Sequence, residues 1–250
     1  MRFLVCAVWC AAACGCAVVE PAGEPVREAT AVTGPSAANV VYKTVKRTIC
    51  LMQAGDYHGV TDVDMNGVYA NENFYYGDTF EVYGDEVGNQ ALLRFDEIAL
   101  PAGAHIEEAF IMLTMERKAG ANFGIIYAHR MLHESDFQQV TWDYADLANS
   151  VKWGADSQAL PKAGVDYEAE PAGTIDSTGI FAGDAARIDV TDAVGYWVER
   201  PDKNYGLLLR TDRGKMVGVF HSSESPNVGS RPRLYVTYTL QIAITPSPQD

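Results

Sequence analysis

The stretch Gln90–Met115 with its flanks, NQALLRFDEIALPAGAHIEEAFIMLTME (residues 89–116), reads as strand, turn, strand. Leu93 and Phe95 alternate with Leu92 and Arg94, so one face of the first strand is apolar and the other carries a charge. Pro101-Ala102-Gly103 is turn chemistry. In the second strand Ile111, Leu113 and Met115 point one way, and Met112 and Thr114 the other. Two antiparallel strands of one sheet follow from this pattern, and the rest of the chain repeats it.

The body from Val40 onward is a succession of short alternating runs: RTICLMQ (47–53), DTFEVYG (78–84), GIIYAHRML (124–132), RIDV (187–190), YGLLLR (205–210), MVGVFHS (216–222) and RLYVTYTL (233–240). In DTFEVYG, Phe80 and Val82 are predicted inward and Glu81 and Tyr83 outward. In the last run Leu234, Val236, Tyr238 and Leu240 share a face, opposite Tyr235, Thr237 and Thr239. Many short strands joined by Gly, Asp and Asn turns predict an all-β, antiparallel β-sandwich of jelly-roll type. One short helix is expected, with Thr191 as cap and Asp192 at its positive end. Val194, Trp197 and Val198 would dock on the sheet, and Pro201 follows the helix end. Lys152–Asp184 is read as a long irregular loop.

The chain has 250 residues and a net charge of −14, which argues against nucleic acid as a partner because phosphate binding needs a concentrated basic surface. Cys6, Cys10, Cys14 and Cys16 all fall in the first sixteen residues, so Cys50 alone in the body rules out a disulfide framework there. Cys50 is expected to be a buried small apolar residue. Arg2 followed by the apolar run Phe3–Ala13 and a small-residue-cysteine ending has the form of a signal peptide, too short to span a bilayer. The ending is similar to a bacterial lipobox, with Cys16 (or Cys14) as the lipidated residue, and an ordinary cleaved signal as the alternative. Residues 1–16 are thus read as signal and lipobox, 17–40 as a flexible tether, 41–242 as one folded module and 243–250 as a disordered tail. On this reading the protein is exported and held at the bacterial cell envelope through an N-terminal lipid anchor in the membrane.

Several spaced segments resemble the DNRLRE-type modules, a family of secreted β-sandwich domains that includes carbohydrate-binding modules. They are NFYYGDTFEVYG (73–84), LLRFD with LPAGA, QQVTWDYAD (138–146) with Trp153 and GVDYE (164–168), DVTDAVGYWV (189–198) with NYGLLLR (204–210), and FHSSES (220–225) with RPRLYVTY (231–238). The resemblance covers about residues 47–240. It implies a secreted jelly-roll module that binds polysaccharide without catalysis.

Motifs for catalysis are sparse. The chain has no Gly-x-Ser-x-Gly and no Walker-type loop. His129 and His133 sit four apart in a strand-like run, where they would be about 13 Å apart, too far for one metal. A carboxylate pair for polysaccharide cleavage remains the enzymatic alternative. A structural or adhesive surface protein without a sugar ligand is the other.

The candidate sugar platform is Trp153 in the long loop with Tyr76 and Tyr83, because apolar C–H faces of sugars stack on exposed rings. Trp142 is assigned to packing, and Arg94 to a cross-strand ion pair or to an acidic sugar. Asp62, Asp64 and Asn66, followed by Gly67, have the alternating oxygens that open a calcium loop. They make a tight turn holding structural Ca²⁺ the metal candidate, with a solvated polar turn as the alternative.

Overall fold

The computed structural model describes residues 41–84, 88–118, 123–154 and 160–244. The signal and lipobox with Cys14 and Cys16, the tether, and all of the tail beyond Ile244 lie outside the described residues.

Strand β5 (His105–Lys118) is the axle of the structure. Its first part pairs with β13 (Arg233–Ile244) on one edge and β10 (Ala185–Asp189) on the other, and its last residues pair with β12 (Met216–His221). A register shift in β12 between Val219 and Phe220 marks the bend where the sheet curls. β1 (Val41–Met52) pairs with β13 along its full length. Beyond β12 the sheet continues through β3 (Thr79–Tyr83), β4 (Asn89–Phe95), β11 (Leu207–Thr211), β6 (Ile125–Arg130) and β9 (Gly173–Asp176), with β2 (Val60–Asn66) on the other edge of β4. β7 (Tyr144–Asp146) and β8 (Val151–Lys152) form a separate two-stranded sheet, and among the described residues all these strand pairs are antiparallel. This is the all-β sandwich that the alternation predicts.

The main core fills the space between the curled halves. Phe80, Val82, Leu93, Phe95, Ile111, Leu113, Met115, Leu234 and Val236 are all buried there, as their period-2 spacing requires. Phe80 and Phe220 face each other across β3 and β12 with ring centroids 5.7 Å apart. Each such ring removed from water is worth about 1.5–3 kcal/mol. Helix α1 (Thr191–Glu199) closes one end, burying Ala193, Val194 and Trp197. Thr191 is the first helical residue rather than the cap. Its hydroxyl accepts the Ala109 N–H at 2.9 Å, tying the helix to β5, and Asp189 Oδ1 accepts the Thr191 N–H at 2.9 Å.

A second apolar cluster lies on the opposite face of β2, β4 and β11. Val63, Met65, Leu92 and Leu208 are covered there by Met131, Phe137, Val140, Trp142, Trp153 and Tyr167. The face that Leu92 shares with Arg94 is therefore largely enclosed. The 152–184 segment is correspondingly less irregular than expected. It supplies Trp153 and Tyr167 to this cluster and β9 to the edge of β6. β13 runs on through residues 243 and 244, so the strand extends two residues into the expected tail. Cys50 is half-buried rather than buried.

Candidate binding cleft and the buried carboxylates

On the covered face of β2 and β4, Thr61 and Arg94 are cross-strand partners. They form the floor of a cleft of about 350 Å³ whose walls are Tyr75 and the segment Glu134–Gln138. Arg94 is held from two sides: its Nε lies 2.9 Å from Asp96 Oδ1, and its guanidinium carbon sits 5.1 Å from the centre of the Phe137 ring. The wall segment folds on itself, with Asp136 Oδ1 accepting the Gln138 N–H at 3.0 Å. Asn73 joins the two walls. Its Nδ2 donates to the carbonyls of Phe137 (2.8 Å) and Val140 (2.6 Å), and its Oδ1 accepts the Tyr75 N–H at 3.1 Å. Burial raises the Tyr75 phenol above its ordinary range, against the opposing hydrogen bond from Gln138. Tyr76 packs edge-on against Tyr75 with centroids 4.8 Å apart and is 74% exposed at the rim. The cleft thus combines aromatic surface, a fixed cation, two carboxylates and an amide.

The platform expected of Trp153, Tyr76 and Tyr83 is not assembled. Trp153 is 1% exposed, and its indole N–H donates to the Thr141 carbonyl at 3.0 Å. Its ring packs in the second cluster, where no ligand can stack on it. Tyr76 precedes β3 and Tyr83 ends it, half-buried opposite Asn89 and Met216. At about 3.3 Å per residue the strand keeps them well apart. Trp142 is buried beside Trp153. His129 is buried on β6 with Nδ1 2.8 Å from the Glu168 carbonyl, while His133 is exposed.

The proposed calcium turn is instead strand β2. Asp62 and Asp64 lie on one face, opposite Leu93 and Ala91 of β4, while Val63 and Met65 lie on the other. Asn66 ends the strand, and its Oδ1 accepts the N–H groups of Val68 (3.0 Å) and Tyr69 (3.3 Å). Asp62 Oδ2 accepts the Ser223 N–H at 2.6 Å. Asp64 accepts from Glu81 N–H at 3.4 Å and from Asn89 Nδ2 at 3.2 Å. Asn89 Nδ2 also donates to Glu81 Oε2 at 3.0 Å. The oxygens are thus spread along an extended strand and engaged by protein donors, not gathered inside a bend. Among the described residues no group of three or more His, Cys, Asp or Glu is arranged to hold a metal ion. Desolvation pushes Asp62 up to about 7 and Asp64 up to about 8, with Glu81 adding repulsion at Asp64.

The sequence offers Arg94 and the aromatic run that contains Tyr75, but gives no sign of their neighbours Glu134, Asp136, Phe137 and Gln138. They come from segments without periodicity, and one link that brings them together is the Asn73 amide, whose targets lie 64 and 67 residues away.

No family model matches the chain, and no curated protein does. Among solved structures, a chain in the cryo-EM structure of Mud crab tombus-like virus is similar at 12% identity with a TM-score of 0.25, covering 92% of this chain and 94% of that one.

Proposed function

We propose that the protein is an exported, non-catalytic module that binds a polysaccharide in the cleft between Arg94, Tyr75 and Glu134–Gln138. The observation that carries the proposal is the composition of that cleft: the Tyr75 ring beside the hydrogen-bonding groups of Arg94, Glu134, Asp136 and Gln138. Sugars present the same alternation of apolar C–H surface and hydroxyls, and a cleft of this size lies within the range used for small ligands. The exposed Tyr76 extends the aromatic surface at the rim. The resemblance to DNRLRE-type modules points the same way, and an acyl anchor at Cys16 would place the module at the cell envelope.

A second reading is a structural or adhesive surface protein without a sugar ligand. It is favoured by the burial of Trp153 and by the separation of Tyr76 from Tyr83. Titration of the protein with a panel of plant, algal and bacterial polysaccharides separates the two. The module reading expects binding that Tyr75→Ala and Arg94→Ala both weaken without lowering the melting temperature by more than a few degrees. Absence of binding across the panel, or binding indifferent to both substitutions, rejects the cleft. New reducing ends that disappear in Glu134→Gln would instead make the cleft an active site.

A further inference from the structure

The first strand and the last form a ribbon that outruns the body. β13 stays paired with β5 only as far as Thr239, opposite His105, yet β1 and β13 remain paired to Val41 and Ile244. Residues 41–44 and 241–244 are exposed. A two-stranded ribbon has little stability of its own in water.

The composition of this ribbon differs from the rest of the chain. The face that carries Leu51, Leu234, Ile49 and Val236 against the core continues outward as the pairs Val45–Leu240, Lys43–Ile242 and Val41–Ile244. Val41, Ile242 and Ile244 are 44, 42 and 44% exposed, and Tyr42 on the opposite face is 60% exposed. Strand β1 holds three basic residues, Lys43, Lys46 and Arg47, and no acidic one, in a chain of net charge −14; Lys46 is paired with Glu107 of β5 at 2.9 Å, which leaves Lys43 and Arg47 to set the charge of the ribbon. Apolar groups occupy the very tip, and the cations stand behind them. At about 3.3 Å per residue, Lys43 lies about 7 Å and Arg47 about 20 Å from the end of the ribbon.

We infer that the tip of the β1–β13 ribbon docks into an anionic lipid surface. Interfacial elements bury apolar side chains about 5–10 Å into the headgroup boundary, the depth that takes in Val41, Tyr42, Ile242 and Ile244, while the long Lys43 side chain, level with Ile242, reaches back to the headgroups. The basic strand is attracted by anionic lipid, and the acidic remainder is repelled by it, so one field both binds and orients the molecule. A second copy is a poor occupant. Pairing β1 with its own equivalent sets Lys43, Lys46 and Arg47 against one another. The inference does not depend on whether the cleft takes a sugar.

The test is amide hydrogen exchange on the full chain with vesicles of equal parts phosphatidylglycerol and phosphatidylcholine, and with phosphatidylcholine alone. Ribbon amides in 41–45 and 240–244 are expected to exchange about tenfold more slowly at anionic vesicle concentrations ten times half-saturation, with the sandwich unchanged. Lys43→Glu with Arg47→Glu should abolish the protection while keeping the melting temperature, and Ile242→Ser with Ile244→Ser should weaken it. Equal exchange in both vesicle types, or protection that survives the double charge reversal, overturns the inference. Protection that appears without lipid and grows with protein concentration also overturns it and makes the ribbon a self-association surface.

Discussion

The Asp64 carboxylate accepts the Glu81 N–H at 3.4 Å, on the edge of β3 that faces away from β12. Among the described residues β3 meets β4 only at Tyr83 opposite Asn89, and Glu81 has no strand partner on that side. An unpaired buried amide would cost about 1–3 kcal/mol. Asp64 supplies the missing acceptor from β2, and Asp62 does the same for Ser223 after β12. The two carboxyls thus seal a seam where the curled sheet is narrow, at the expense of burying two acids.

That expense sets a pH dependence. Asp62 and Asp64 have folded-state values of about 7 and about 8, above their ordinary value of 3.8. Their protonated forms favour the folded state, so the contribution is complete below 3.8 and is lost as pH rises through 7 to 8. The melting temperature is expected to fall from pH 5 to pH 9, by an amount that reflects roughly a few kcal/mol. Asp62→Asn should flatten the slope, because its amide oxygen still accepts from Ser223 and cannot ionise. A melting temperature that climbs over the same range would mean the carboxylates are held ionised, as a bound cation would hold them. Calcium titration and EDTA at pH 8 would then show the shift directly.

Trp153 is a packing residue by position, so its truncation acts on stability. Trp153→Ala should cost about 3–5 kcal/mol through the cavity it leaves, with a further contribution from the unpaired Thr141 carbonyl. Trp197→Ala and Phe95→Ala, both in the main core, should cost a similar amount. Chemical denaturation measures all three. A Trp153→Ala protein as stable as the parent would place the indole outside the second cluster.

A neutral hydroxyl on the floor of the cleft is unsatisfied. Thr61 Oγ1 is buried with no hydrogen-bond partner among the described residues. Replacing the hydroxyl by a methyl removes that desolvation without changing shape, so Thr61→Val should raise stability by about 1 kcal/mol. A loss of stability in the same measurement would show that the hydroxyl is engaged in solution.

What could be read from the sequence was whatever repeats every second residue. Leu93 and Phe95, Ile111 to Met115 and Leu234 to Tyr238 sit inside because alternation fixes the buried face. Val194 and Trp197 followed from helical spacing. Asp62 to Gly67 went the other way. Asp, Asn and Gly are turn formers, yet Val63 and Met65 between them find a second core under the 131–167 segment, and that burial extends β2 through the acids. Trp153 was misplaced for the same reason, since a wall with no period gives no sign of what it covers. The cleft was hidden because its walls are joined by side chains from distant segments: Gln138 hydrogen-bonds Tyr75, and Asn73 reaches both walls.

Asn73 gives the last prediction. Its Nδ2 holds the Phe137 and Val140 carbonyls, and its Oδ1 holds the Tyr75 amide, so this one amide group bonds to both walls of the cleft. Asn73→Ala leaves two carbonyls and one N–H to find other partners, at about 1–3 kcal/mol in stability. Asn73→Asp keeps the acceptor for Tyr75 but loses the donors, and it adds a charge near Glu134 and Asp136. It should therefore be the more damaging of the two above pH 5 and should recover when the new carboxylate is protonated. Hydrogen exchange resolves the effect in space. Amides of 134–140 should exchange faster in both variants, while those of β5 and β13 keep their parental rates. If 134–140 is unchanged in Asn73→Ala, the wall is held by its own contacts, and the cleft is preformed without this link.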